Sequence, residues 1–137
     1  METLSKEITN DFCFKLKKVM YVGIIEELQF EYVDDEPDSE PYLYLVLIKI
    51  KKKYRNQGYG AAVLEEIVQF ADEHNETIIL FASTLFGSDL KRLYKFYRQF
   101  GFVLKRNEVD NKMVREPNKI RKNSNKLRKH FVSLYRK

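Results

Sequence analysis

The sequence predicts an α/β (α+β) domain in which a mixed sheet is flanked by helices, and three consecutive segments lead to this fold class. Tyr42–Ile50 has the continuous apolar character of a central strand that is covered on both faces. Residues 61–74 carry apolar side chains at helical spacing. Residues 77–83 form a second short apolar segment. A strand, a helix and a strand in this order predict a right-handed parallel crossover.

The segments before Tyr42 have the character of β-structure. Residues 11–18 (DFCFKLKK) alternate apolar and polar side chains, which predicts a strand with one buried face. Residues 19–33 continue the β character, with Gly23 as a bulge and a bend at the two glutamates that follow it. We therefore expect an antiparallel hairpin or meander in this part of the chain.

Residues 34–41 (DDEPDSEP) are acidic and contain two prolines, which predicts an exposed loop. Two interpretations of the loop remain open. It attracts a cationic substrate by electrostatics, or it is a solvated turn without a binding role.

The segments after residue 83 predict a second helix and two closing strands. Ser88 is a suitable N-cap for a helix that extends to Phe100, and Gly101 ends it. The apolar side of this helix consists of Leu90, Leu93, Tyr94 and Tyr97. Residues 102–105 and 112–115 predict two strands joined by a turn at Asp110 and Asn111.

The composition fits one globular domain. The chain has 137 residues, of which 44% are hydrophobic and 33% charged, enough for a substantial core. The single cysteine, Cys13, excludes an intramolecular disulfide, and its neighbours Phe12 and Phe14 predict a packed thiol rather than a nucleophile. We find no apolar run of membrane-spanning length and no signal peptide pattern, so we expect a cytoplasmic protein without membrane contact.

The positive charge is concentrated at the C-terminal end, so we divide the chain into a domain of residues 1–117 and a basic, helical extension of residues 118–137. The formal net charge is +5, and eight of the 25 basic residues lie in the extension, which has no acidic residue. In one interpretation the extension contacts phosphates of a nucleic acid, or an acidic partner. In the other it is a solvated helix that packs on the domain through Ile120, Leu127, Phe131 and Leu134.

The turn between the first strand and the first helix of the crossover, residues 54–60 (YRNQGYG), predicts a phosphate site. Gly58 and Gly60 allow a bulky anion to approach the backbone, and the N–H groups at a helix N-terminus favour negative charge. Arg55 and the three lysines of residues 51–53 add positive potential. The spacing fits neither a Walker loop nor a dinucleotide fingerprint.

Two motifs, taken together, resemble the GNAT superfamily of acyl-CoA-dependent N-acetyltransferases. YRNQGYG is similar to the family's Arg/Gln-x-x-Gly-x-Gly/Ala loop, and residues 96–102 (FYRQFGF) are similar to its Leu-Tyr-x-x-x-Gly-Phe motif. The resemblance covers residues 42–116. It implies a central, twisted, mostly antiparallel mixed sheet flanked by helices, here with a reduced N-terminal helical region. It also implies acetyl-CoA as co-substrate, without a metal.

The resemblance also implies roles for particular residues. Ile48 and Ile50 would pair through their backbone with the pantetheine arm of CoA. Tyr97 would protonate the leaving thiolate, since a phenol with a pKa of about 10 is protonated at neutral pH; Tyr94, one turn earlier, is the rival. The backbone of the loop would bind the diphosphate, which assigns Arg55, Asn56, Gln57, Gly58, Tyr59 and Gly60.

The resemblance leaves the acceptor and the general base open. Where the family often has an asparagine seven residues before its tyrosine, this chain has Leu90, and Tyr42–Ile50 carries no carboxylate. Water relayed to Ser83 or Thr84 is one hypothesis for the base. The acceptor is an unidentified primary amine of a small molecule or a protein, with a slight preference for a cationic one.

Two alternative functions belong to other classes. One is a nucleic-acid-binding module that uses the basic extension, although no helix-turn-helix, zinc or RNA-binding signature accompanies it. The other is a non-catalytic, CoA-binding regulatory domain, which would not need Tyr97. An exposed sheet edge would also favour a homodimer.

Overall fold

A computed structural model describes residues 3–83, 89–105 and 111–118. The helices are α1 (Lys6–Lys15), α2 (Tyr59–Glu73) and α3 (Leu90–Arg98), with a π-helical turn at Leu16–Met20 and a 3₁₀ turn at Lys52–Tyr54. The strands are β1 (Ile25–Val33), β2 (Tyr42–Ile50), β3 (Ile78–Phe81), β4 (Val103–Leu104) and β5 (Lys112–Arg115). Within the described residues these five strands form one sheet in the order β1-β2-β3-β5-β4. Of the four strand pairs in this described sheet only β2–β3 is parallel, so the sheet is mixed and mostly antiparallel, as predicted.

The prediction of a strand at residues 11–18 is wrong, because this segment belongs to α1 and the π-helical turn. Ser5 caps α1 by accepting a hydrogen bond from the N–H of Ile8 (3.2 Å). Phe12 and Leu16 are four residues apart and both pack toward the core. Phe14, which a strand would place on that same face, is 60% exposed. The apolar spacing therefore follows the helical period rather than the period of a strand.

The prediction for residues 19–33 holds only for its second half, which is β1. Gly23 lies in a turn with φ +76° and is not a bulge. The expected hairpin of residues 11–33 does not form, since β1 pairs with β2 instead. The acidic segment 34–41 is the exposed loop between these two strands, as predicted.

The core lies between the sheet, α1 and α2. Phe12 of α1 stacks on Phe70 of α2 with ring centroids 4.1 Å apart, and Phe30 of β1 meets both rings edge-on at 6.1 Å. Cys13 packs beside them and donates to the carbonyl of Phe30 (3.3 Å). Burial raises the pKa of this thiol to about 11, which fits a packed thiol rather than a nucleophile.

A buried ion pair joins the last turn of α2 to β5. Arg115 donates to both carboxylate oxygens of Asp72, at 2.7 and 3.0 Å, and its Nε donates to the carbonyl of Phe100 (2.6 Å). Asp72 and Arg115 are 1% and 3% exposed. The N–H of Asn118 also donates to Asp72 (2.9 Å). One carboxylate therefore holds together α2, β5 and the segment that follows β5.

The later elements agree with the sequence, with small shifts at their ends. Asp89 is the N-cap of α3, and its Oδ1 accepts from the N–H of Arg92 (2.8 Å). Gly101 has φ +94° just after the helix, the left-handed conformation expected of a C-terminal stop. Ser88, the predicted cap, lies outside the described residues, as do Asp110 of the predicted turn and residues 119–137 of the basic extension.

The homodimer and the cytoplasmic location stay predictions. In the described sheet β1 and β4 are the edge strands. No helix within the described part of the chain is long and apolar enough to span a membrane.

Candidate active site

A cleft opens where β2 and β3 separate. The two strands pair only from Leu43–Ile78 to Leu45–Leu80, although β2 continues to Ile50. The cleft has a volume of about 650 Å³ and is lined by β2 from Val46 onward, by the loop before α2 and by one side of α3. A sheet edge that has lost its neighbouring strand offers backbone donors and acceptors to a ligand.

A bulge in β2 determines which backbone groups face this cleft. Gln29 of β1 pairs with Leu47, whereas Phe30 pairs with Leu45, so Val46 is an extra residue. The N–H of Leu43 donates to Thr77 on the β3 side, yet the N–H of Lys51, eight residues later, donates to Ile24 on the β1 side.

Since alternate residues of a strand present their N–H groups to opposite edges, these two bonds require one reversal between Leu43 and Lys51. The extra residue Val46 supplies that reversal. The backbone groups of Ile48 and Ile50 consequently face away from β1 and toward the cleft. No pattern in the apolar run Tyr42–Ile50 predicts this insertion.

The first turn of α2 forms one end of the cleft. Gly58 is the N-cap, with φ +87°, and Asn56 before it has φ +64°. A glycine cap leaves the first N–H groups of the helix to be satisfied by water or a ligand. Gly58, Tyr59 and Gly60 all line the cleft, so these N–H groups lie at its wall.

Two side chains of the same loop form hydrogen bonds that stabilise its conformation. The Nε of Arg55 donates to the carbonyl of Ile50 (2.9 Å), which ties the loop to the end of β2. The amide of Gln57 donates to the carbonyl of Lys53 (3.2 Å). Arg55 lines the cleft, whereas Gln57 does not. The loop conformation is therefore fixed by contacts within the protein.

The two candidate tyrosines of α3 lie in different surroundings. Tyr97 lines the cleft, and its ring packs against Phe96 and Phe102 at centroid distances of 5.4 and 5.7 Å. Burial raises the pKa of Tyr97, which keeps the phenol protonated. Tyr94 is not a cleft residue, and its hydroxyl donates to the side chain of Asn111 (2.7 Å). The geometry therefore distinguishes two residues between which the sequence could not choose.

The cleft is electrostatically positive. Among the described residues that line it, three carry cationic side chains and none carries a carboxylate. Lys49 forms an ion pair with Glu26 (3.0 Å), while Arg55 belongs to the loop before α2 and Arg92 to α3. Such a lining favours an anionic ligand. The acidic loop 34–41 precedes the opposite end of β2, so it does not border this cleft.

Most of the predicted site residues thus come together in one cleft. The lining residues that the sequence had singled out are Ile48, Ile50, Arg55, Asn56, Gly58, Tyr59, Gly60, Ser83 and Tyr97. Sequence reasoning missed Arg92 and Phe81, which also line it. Arg92 comes shortly after Ser88, the predicted N-cap of α3. A cation at the start of this helix was the sequence signal that could have identified it.

The comparison with protein families decides the family. The sequence model of the acetyltransferase (GNAT) domain matches residues 17–104, more than half of the chain. The chain belongs to the GNAT acetyltransferase family. The reaction of this family is acyl transfer. Comparison with curated proteins finds no match for the chain.

Solved structures similar to this GNAT domain include the following three. The AtaTR structure bound with AcCoA is 15% identical with a TM-score of 0.51, and 73% of this chain covers 59% of that one. The AtaT toxin bound to the C-terminus of the antitoxin AtaR and acetyl-CoA is 16% identical, with a TM-score of 0.47 and the same coverage. A histone acetyltransferase HPA2 and related acetyltransferase from Corynebacterium glutamicum is 24% identical, with a TM-score of 0.45 and coverages of 63% and 46%. The chain thus spans about half the length of these proteins.

Proposed function

We propose that this GNAT domain transfers an acetyl group from acetyl-CoA to a primary amine. The observation that carries the proposal is the convergence of three features on one cleft: the glycine-capped N-terminus of α2, the separated edge of β2, and Tyr97. An elongated thioester with a diphosphate at one end needs these three kinds of contact. The proposal rests on this arrangement together with family membership.

The diphosphate of CoA binds at the loop of residues 55–60. The first N–H groups of α2 supply donors, and the partial positive charge of the helix N-terminus favours the anion. Gly58 and Gly60 have no side chain, and a Cβ built at either one meets no atom within 4 Å, so the space beside the backbone is open. Arg55 adds a full positive charge at the same wall.

The pantetheine arm runs along the separated edge of β2. Its amides pair with the backbone of Ile48 and Ile50, which the bulge at Val46 turns toward the cleft. A backbone N–H at this edge also stabilises the oxyanion that develops when an amine attacks the thioester. A donor held in a sheet needs no reorganisation during the reaction.

Tyr97 donates a proton to the thiolate that leaves when the tetrahedral intermediate collapses. Its position in the cleft and its raised pKa both support this role, because the acid must be protonated before the step. The attacking amine must be neutral, and its own proton passes to water in the cleft, which Ser83 also lines. Thr84, the other residue considered for this relay, lies outside the described residues.

Titration calorimetry with acetyl-CoA and with CoA tests the cofactor half of the proposal. We expect saturable binding to folded protein. Thiol release from acetyl-CoA is then followed with a panel of amines: alkylamines, diamines, amino acids and peptides with free α-amino groups. Absence of heat with both nucleotides would overturn the proposal. Binding without thiol release for every amine would instead support the non-catalytic CoA-binding domain.

A further inference from the structure

We propose that Arg92 of α3, which belongs to a different element from the glycine loop, binds a phosphate group of CoA, an inference that rests on the proposed function. Arg92 lines the same cleft as Arg55 and Gly58 but belongs to a different element. The loop meets the anion mainly through backbone N–H groups, whereas Arg92 would contribute a planar, charged donor from α3.

Helix stability does not explain a cation at this position. Arg92 lies in the first turn of α3, just after the N-cap Asp89. A positive side chain there is unfavourable to the helix dipole, which prefers anions at the N-terminus. A ligand that carries several negative charges would offset this cost.

The other two cations of the cleft are held by contacts within the protein. Lys49 forms an ion pair with Glu26, and Arg55 donates to the carbonyl of Ile50. Within residues 3–83, 89–105 and 111–118, no hydrogen bond or ion pair is found for the guanidinium of Arg92. Arg92 is an exposed residue and lines the cleft, so a phosphate in the cleft can reach it.

CoA has two phosphate groups that Arg92 could contact, the diphosphate and the 3′-phosphate of the ribose. They differ in a way that can be measured, because 3′-dephospho-CoA lacks only the second. The experiment is calorimetric titration of wild-type protein and Arg92→Ala with CoA and with 3′-dephospho-CoA, at about 50 mM and about 500 mM salt. Lys91→Ala is the matched control, since it removes the same charge from the same helix turn but Lys91 does not line the cleft.

We expect Arg92→Ala to weaken CoA binding about tenfold at the lower salt concentration and less at the higher one. Lys91→Ala should change the affinity less than about twofold, since only screened, long-range charge is lost. If the contact is to the 3′-phosphate, Arg92→Ala and wild type bind dephospho-CoA equally. If it is to the diphosphate, the loss is the same for both ligands.

Two results would overturn the inference: Arg92→Ala binding CoA as tightly as wild type, or Lys91→Ala showing an equal loss. Either can occur while wild-type protein binds CoA normally. Failure of the wild-type protein to bind CoA would instead overturn the proposed function itself. Circular dichroism of both variants verifies that α3 is retained.

Discussion

At its first residue α2 meets the open cleft, and in its last turn it meets the buried pair of Asp72 and Arg115. The N-terminal end has a glycine cap and no side-chain oxygen for its first N–H groups. The C-terminal end has an acidic side chain where the helix dipole disfavours one, yet that carboxylate accepts hydrogen bonds from Arg115 and from the N–H of Asn118. We call the C-terminal end the closed end, because the protein itself satisfies its groups, and the N-terminal end the open end, because its first residues line the cleft where we propose that a ligand binds.

This difference separates stability from binding along a single helix. A contact that the protein makes with itself contributes to the free energy of unfolding whether or not a ligand is present. An N–H group directed into a cleft exchanges water for a ligand and contributes mainly to affinity. Changes at the closed end should therefore reduce stability, and changes at the open end should reduce binding or turnover.

The largest effect is expected from Asp72→Ala. The substitution leaves the guanidinium of Arg115 buried and without its partner, and breaking a buried pair from one side costs about 3–5 kcal/mol. Chemical denaturation monitored by circular dichroism measures this loss. The exposed pair Lys15–Asp11 provides the control, because Asp11→Ala should change the stability little.

The double variant Asp72→Leu with Arg115→Met tests the physical reason. Replacing both charges by apolar groups removes the desolvation cost together with the attraction, so the double variant should be more stable than Asp72→Ala. A double variant that is as unstable as Asp72→Ala would show that the hydrogen bonds to Phe100 and Asn118 matter more than the paired charges.

A smaller effect, confined to turnover, is expected at Tyr97. Tyr97→Phe keeps the ring contacts with Phe96 and Phe102 and removes only the hydroxyl, so kcat should fall about 100-fold with little change in KM for acetyl-CoA. Tyr94→Phe is the matched control on the same helix. Its hydroxyl bonds to Asn111 outside the cleft, and we expect normal turnover.

The pH profile adds a second measurement of the same role. An acid is active only while it is protonated, so its contribution disappears as pH rises through its pKa. Because burial raises the pKa of Tyr97 above the ordinary value of about 10, wild-type kcat should be maintained up to about pH 10. Unchanged kcat in Tyr97→Phe would remove this residue from the mechanism.

The open end of α2 was predictable from the sequence because its signal is local. The two glycines, the arginine and the strand and helix on either side lie within Tyr42–Ile50 and the 24 residues after it, so periodicity and spacing alone bring them together. The closed end was not predictable in the same way. Asp72 and Arg115 are 43 residues apart, and nothing near either one identifies the other as its partner.

The error at residues 11–18 has a different cause. Phe12, Phe14 and Leu16 alternate as in a strand, but Phe12 and Leu16 also share a helical face, so the two periods overlap. Ser5 and Glu7 ahead of them are helix-start signals, and the hydrogen bond from the N–H of Ile8 to the side chain of Ser5 shows that Ser5 is the N-cap. The bulge at Val46 was not predicted for a third reason: it depends on the register between β1 and β2 rather than on the sequence of either strand alone.

The smallest effect is expected from Gly60→Ala, and this substitution distinguishes the two ends of α2 most directly. Gly60 lies in the first turn of the helix, without the positive φ of Gly58, and a Cβ there meets no atom within 4 Å. Gly60→Ala should therefore raise stability by up to about 1 kcal/mol, because alanine is the better helix former. The same methyl group enters the space from which a phosphate approaches the backbone, so CoA affinity should fall about tenfold, or ~1.4 kcal/mol.

Gly23→Ala should give the opposite pattern. Gly23 also has open space around it, but its φ of +76° makes a side chain unfavourable, so stability should fall by about 1 kcal/mol while CoA affinity is unchanged. Thermal denaturation and calorimetric titration of both variants measure the two quantities separately. If Gly60→Ala bound CoA as tightly as wild type, the diphosphate would have to lie farther from the first turn of α2 than the proposed contact allows. The open end would then be an exposed helix terminus rather than a binding site.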